Sequence, residues 1–183
     1  MRRIGVIADN HSRTSDGADL PQPVLEAFSG VDLIVHCGDA GSWGSLDRLA
    51  SVAPVIGVRG GHNGEGEDAR ISGDTRVIDI DGLRAGIVHD LVKQGVLKES
   101  NPKLVPATDD LSAALDDLFG EPIDLLLFAG THTPRIGTVG GTFFVNPGSP
   151  TIPLDRPKGS LGAVAIVEVD AGIASARVIE LWR

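Results

Sequence analysis

The chain opens on a short apolar run, Ile4-Gly5-Val6-Ile7-Ala8, that breaks into Asp9-Asn10-His11. Such a run reads as a strand buried on both faces, here over residues 2–8, and the polar burst at its end reads as a strand-end loop. The pattern recurs. Leu33-Ile34-Val35 runs into His36-Cys37-Gly38-Asp39, and residues 54–58 run into Arg59-Gly60-Gly61-His62-Asn63-Gly64. Between the first two runs, Pro21 and Pro23 precede Val24-Leu25-Glu26-Ala27-Phe28, a helix start with proline in its first turn and Gly30 at its end. A short helix is expected over residues 46–52. Strand, helix, strand, helix, strand is the order of a sheet with helical crossovers.

The second half changes character. Residues 76–80 and 84–88 flank Asp81-Gly82, a strong hairpin signal, and the second strand ends in His89-Asp90. Residues 91–106 are irregular and read as loop with a helical turn. Thr108 is expected to cap a helix through Phe119, with Asp109 and Asp110 in its first turn, where the helix dipole favours negative charge. Residues 123–129 form the most apolar strand and open into Gly130-Thr131-His132-Thr133-Pro134. Strands follow at 136–139 and 143–145 around Gly140-Gly141, then Asn146-Pro147-Gly148-Ser149, then alternating strands at 163–169 and 174–181. No repeat or linker interrupts the pattern, and residues 1–183 are expected to form a single domain.

Composition narrows the function classes. Hydrophobic residues at 42% and charged residues at 22% describe an ordinary soluble globule, and the net charge of −9 disfavours nucleic acid or an anionic membrane as partner. A small phosphorylated substrate held by a metal stays compatible with that charge, and a homo-oligomer is left open. One cysteine, Cys37, excludes an intramolecular disulfide, and the opening apolar run is cut by Asp9 too early for a signal peptide. A cytoplasmic location is expected.

Alone, Asp9 and His11 could be an incidental turn; the distribution of histidine changes that. Four of the five histidines, His11, His62, His89 and His132, sit just beyond a buried strand, and the fifth, His36, is on a strand. Asp9 and Asp39 also sit at strand ends. Carboxylates and imidazoles brought together from several strand ends suit a divalent ion such as Mn²⁺, Zn²⁺ or Fe²⁺. His36 and Cys37 read as core residues.

These stretches, together with Val58-Arg59-Gly60, resemble the calcineurin-type metallophosphoesterases, with the small bacterial and archaeal phosphodiesterases as the nearest branch. The resemblance spans nearly the whole chain. It implies an α/β (α+β) fold, a four-layer sandwich of two mixed β-sheets flanked by helices. It also implies hydrolysis of a phosphodiester by a metal-activated hydroxide, with Mn²⁺ as the first expectation and Zn²⁺, Ni²⁺ or Fe²⁺ as alternatives. By the family pattern Asp9, His11, Asp39 and His132 hold one ion, and Asp39 bridges to a second ion that His89 also holds. Two positions depart: Gly61 stands in place of an Asn ligand, and Gly130 in place of the first His of a Gly-His-x-His motif. One tight ion and a weak or absent second are therefore expected, with His62 or Asn63 as a substitute ligand. His62 also matches a His that protonates the leaving oxygen in some relatives, with Asn63 where its orienting Asp usually stands. The alternative reading is a weakly active or inactive member of the fold serving as a protein-interaction or regulatory scaffold, for which the retromer subunit is a precedent.

Overall fold

The computed structural model describes residues 1–100 and 103–183. The chain begins with β1 (Arg2–Ile7), α1 (Gln22–Ala27), β2 (Leu33–His36), α2 (Trp43–Ala50) and β3 (Val55–Gly57). These three strands are parallel neighbours, as helical crossovers require. Next come β4 (Thr75–Ile80), β5 (Leu83–Val88), a hairpin of β6 (Leu97–Ser100) and β7 (Lys103–Pro106), and α3 (Leu111–Phe119). Then follow β8 (Leu125–Leu127), β9 (Arg135–Val139) and β10 (Thr142–Asn146). The second sheet has the order β4-β5-β8-β10-β9, with β5, β8 and β10 parallel and the edge strands antiparallel. Finally β11 (Ser160–Asp170) and β12 (Ile173–Trp182) return to the first sheet, which has the order β12-β11-β1-β2-β3. Both sheets are mixed.

Strand alternation sets the layers. Ile4, Val6 and Val35 of the first sheet face Ile87, Leu125, Leu127 and Val145 of the second, and this fully apolar seam is one core. On the outer face of the first sheet, Ile7, Ile34 and Ile166 pack against Phe28, Leu46 and Leu49, from the end of α1 and from α2. On the outer face of the second, Leu126 and Phe128 pack against Leu111 and Leu115 of α3. The order is therefore helix, sheet, sheet, helix, the expected four layers.

Three hairpin turns, at Asp81-Gly82, Gly140-Gly141 and Ala171-Gly172, have positive φ at both central residues, the two-residue geometry that matches strand twist. Three local readings need correction. Helix α2 starts at Trp43, earlier than residue 46, because the Trp43 indole N–H donates to the Glu65 carbonyl at 2.8 Å and fixes that turn. The cap of α3 is Asp110, not Thr108: Asp110 is extended, and its carboxylate accepts from the Ala113 N–H at 3.0 Å. Thr108 instead donates its hydroxyl to the Asp110 carbonyl. The stretch 91–106, read as loop, has its helical turn near Asp90–Gln94 but also contains the β6–β7 hairpin; the part of that reading that falls on 101–102 lies outside the described residues.

Candidate metal centre

All six parallel strands discharge at one edge, which is where open α/β sheets place ligands. The first sheet delivers Asp9 and His11 after β1, Asp39 after β2 and His62 after β3; the second delivers His89 after β5, His132 after β8 and Asn146–Ser149 after β10. The strand pairing continues into these loops: Asp9 N–H donates to Gly38 C=O, His11 N–H to Asp39 C=O and Ser12 N–H to Ala40 C=O, each at 3.0 Å. The two sheets are tied across the seam. Gly130 N–H donates to Asp9 Oδ2 at 3.1 Å, and the Ser149 hydroxyl donates to the Asp9 carbonyl at 2.7 Å. Four of the converging residues, Asp9, His11, Asp39 and His132, have left-handed backbone with φ between 43° and 58°. Such a conformation in a non-glycine residue costs on the order of 1–3 kcal/mol and persists where the surroundings over-determine it.

The side chains converge on Asp9 and Asp39, both buried. His11 Nε2 and His89 Nε2 each lie 3.4 Å from Asp39 Oδ2, and His132 Nε2 lies 3.6 Å from Asp9 Oδ1. Three ligand triads fall within ion-binding reach: Asp9, His11 and His132; His11, Asp39 and His62; Asp9, Asp39 and His89. Two tautomers are set from outside the cluster. His89 Nδ1–H donates to the Cys37 carbonyl at 2.8 Å and His132 Nδ1–H to the Ile152 carbonyl at 2.9 Å, which turns both Nε2 atoms inward. Among the described residues, Asp9 Oδ1 and His11 Nε2 are the two buried side-chain polar atoms without a hydrogen-bond partner. Both point into the cluster. Orphaned buried acceptors of this kind are what a cation satisfies.

Burial and charge set the protonation of these groups. Burial pushes the Asp9 carboxyl up to about 6, against the pull of His89 and His132. Burial acts the same way on Asp39, but bonds from the His89 side chain and the His62 N–H outweigh it and hold that carboxyl well below its usual range. His11 is lowered by burial and by the neighbouring imidazoles; His89 is raised, its desolvation outweighed by Asp39 and Asp9. His36 lies outside the cluster. Its Nδ1 accepts from Gly38 N–H at 3.1 Å, its Nε2–H donates to Asn10 Oδ1, and burial pushes its pKa down to about 3. It is a neutral core residue. Cys37 is likewise buried with its thiol pushed up.

The family model for the calcineurin-like phosphoesterase superfamily domain matches residues 1–172. The chain belongs to this family. A protein of Methanocaldococcus jannaschii described as a "Probable metallophosphoesterase" is 34% identical over 153 residues, covering 82% of this chain and 69% of that one. The fold also matches Vps29 of Chaetomium thermophilum, with a TM-score of 0.67, 19% identity and coverage of 100% and 99% of the two chains. It matches an archaeal phosphodiesterase with a TM-score of 0.63, 20% identity and coverage of 97% and 99%.

Family membership brings divalent metal use, and the convergent donors suit it. The two positions that depart from the family motifs differ physically. A Cβ at Gly61 would meet only Asp39 Oδ1, at 3.9 Å, so the space for a ligand side chain is open. At Gly130, φ is +80° and a Cβ would lie 3.3 Å from the Asp90 side chain, so any side chain there is strained. The Asn63 amide is taken up locally. It closes a turn, accepting from Gly60 N–H and donating to Gly60 C=O, which corrects the reading of Asn63 as a substitute ligand or as a partner of His62. His62 is oriented by Asp39 instead, with Nδ1 3.3 Å from Asp39 Oδ2 and the side chain 74% exposed. The candidate second ion position, around Asp39 and His89, also gains Asp9, with His89 Nε2 3.8 Å from Asp9 Oδ1, a donor that the motif pattern places at the first position only. Ser149 carries no role in the motif reading, yet its hydroxyl accepts from Thr151 and Ile152 N–H while donating to Asp9 C=O. Its place beside Asn146-Pro147-Gly148 was the only signal.

Proposed function

We propose that this chain hydrolyses phosphodiesters with a divalent ion, Mn²⁺ first, held by Asp9, His11, Asp39 and His132, and that its second ion position is depleted. The observation that carries the reading is the pair of unpartnered polar atoms, Asp9 Oδ1 and His11 Nε2, buried in a cluster where His89 and His132 are pre-set with Nε2 inward. A scaffold with no use for an ion gains nothing from keeping those atoms unpaired, at about 1–3 kcal/mol each. When bound, a divalent ion there supplies Lewis-acid polarisation of a phosphoryl group and an activated water.

The remaining work falls to the chain itself. Gly130 N–H and Ser149 hold Asp9 in register, and the carbonyls of Cys37 and Ile152 hold His89 and His132. His62, exposed at the mouth with Nδ1–H anchored on Asp39, has Nε2 free, and as the imidazolium it would give its Nε2 proton to the departing alkoxide and be left neutral. Asp39 and His89 stay at the second position with Asp9 shared between sites, too few dedicated donors for tight binding. The test is metal analysis of the purified protein beside a Mn²⁺ titration of bis(p-nitrophenyl) phosphate hydrolysis. One ion retained per chain after dialysis, with turnover that follows Mn²⁺, is expected. Two ions retained at micromolar Mn²⁺ would overturn the depleted second position, and no turnover at saturating Mn²⁺ would favour the scaffold.

A further inference from the structure

Beside the cluster, the segment that follows Ser149 presents apolar side chains to solvent. Ile152 is 40% exposed and Leu154 is 79% exposed. This segment is held in place. Ile152 N–H donates to Ser149 Oγ at 2.9 Å, and its carbonyl accepts from His132 Nδ1 at 2.9 Å. The Thr151 hydroxyl donates to the Asn10 carbonyl at 2.8 Å, and Leu154 N–H reaches the His132 carbonyl at 3.4 Å. An exposed apolar residue pinned through both of its backbone polar groups to ligand loops is presented to whatever occupies the site.

Ile152 lines an open cleft of about 370 Å³ together with His11, His62 and Arg13. That volume lies in the roughly 300–1,000 Å³ range of small-molecule sites. Arg13 N–H is taken by Asp19 Oδ2 at 2.7 Å, which anchors the backbone that carries the guanidinium. An aliphatic wall with an arginine on the same cleft suits a flat π-system, which packs on the first and can stack with the second.

We propose that this cleft seats the leaving alcohol of the phosphodiester and that this alcohol carries an aromatic ring. The inference rests on the phosphodiesterase reading above, since His62 opens into the same cleft and the group whose oxygen it protonates must lie there. A small alkyl alcohol would leave Ile152 bare.

The test is calorimetric binding of phenylphosphonate and methylphosphonate, which are not hydrolysed, to the Mn²⁺-loaded protein. Phenylphosphonate is expected to bind about tenfold tighter than methylphosphonate. Ile152→Ser should bring the two within about twofold while methylphosphonate affinity and metal content hold, because the backbone carbonyl that orients His132 is retained. Ile152→Leu should keep the preference, which separates wall chemistry from a fold defect. Equal binding of the two by the unaltered protein, or a preference that survives Ile152→Ser, would overturn the cleft assignment alone. Binding of neither would overturn the phosphoryl site, and this inference with it.

Discussion

Replacing His62 with alanine separates proton delivery from ion binding. If His62 gives its proton to the leaving oxygen, turnover of a dialkyl phosphate, whose alkoxide needs that proton, should fall by roughly 10²–10⁴. Turnover of a p-nitrophenyl ester, whose phenolate needs little help, should fall less than about tenfold, and metal content should not change. Loss of the ion in that variant would make His62 a ligand, a role that its position in the triad with His11 and Asp39 also permits. Asp9 carries a second prediction. Its carboxyl sits near 6 in the folded protein without metal, above the usual value of 3.8. Between those values the fold binds a proton that the unfolded chain releases, so metal-free stability falls as pH rises through the window. His89, also raised, adds to the loss in the same direction above its ordinary value. An ion takes the place of these protons. The rise in Tm on adding Mn²⁺ should therefore be larger at pH 7 than at pH 5, by several degrees, and a rise independent of pH would contradict the assignment of Asp9 as a ligand.

At the scale of the loop and strand, Gly61 and Gly130 are not equivalent repair sites. Gly61→Asn enters open space 3.9 Å from Asp39 Oδ1 and should raise Mn²⁺ stoichiometry at millimolar concentration without loss of stability. Gly130→His must adopt φ near +80° against Asp90 and should lose about 1–2 kcal/mol in chemical denaturation. A stable Gly130→His with full second-ion occupancy would show that the loop relaxes instead. The sequence made much of this level legible, because buried parallel strands are continuous apolar runs and the hairpin turns carry glycine where positive φ is needed. Candidate ligands at the ends of such runs, as Asp9, Asp39 and His89 are, could be placed before any contact was known. The start of α2 was hidden because it depends on Trp43 reaching Glu65, a tertiary bond. The partner of His62 was hidden for the same reason: Asp39 is 23 residues away, whereas Asn63, adjacent in sequence, turns back on Gly60. Ile152 has no periodic context in its proline-containing loop, so its exposure emerges only in three dimensions.

Across the molecule, one sheet built from both ends of the chain packs face to face on a second built from its middle, and the candidate metal centre lies where their strand ends converge. The apolar seam that joins them includes Ile87, Leu125 and Leu127, all fully buried. Truncating Leu127 to alanine should lower stability by about 2–5 kcal/mol and weaken metal retention in parallel, since His89 and His132 belong to one sheet and Asp9, His11 and Asp39 to the other. Metal retention unaffected by a loss of that size would mean that the loops hold their geometry independently of the seam. The loop amides show what that geometry depends on. Because Asp9, His11 and Ser12 continue the β1–β2 ladder past the strand ends, their amide protons should exchange with deuterium as slowly as those of the strands, and chelation should leave that protection largely intact. The ion would then enter a seat already assembled by folding, and leave it without melting it.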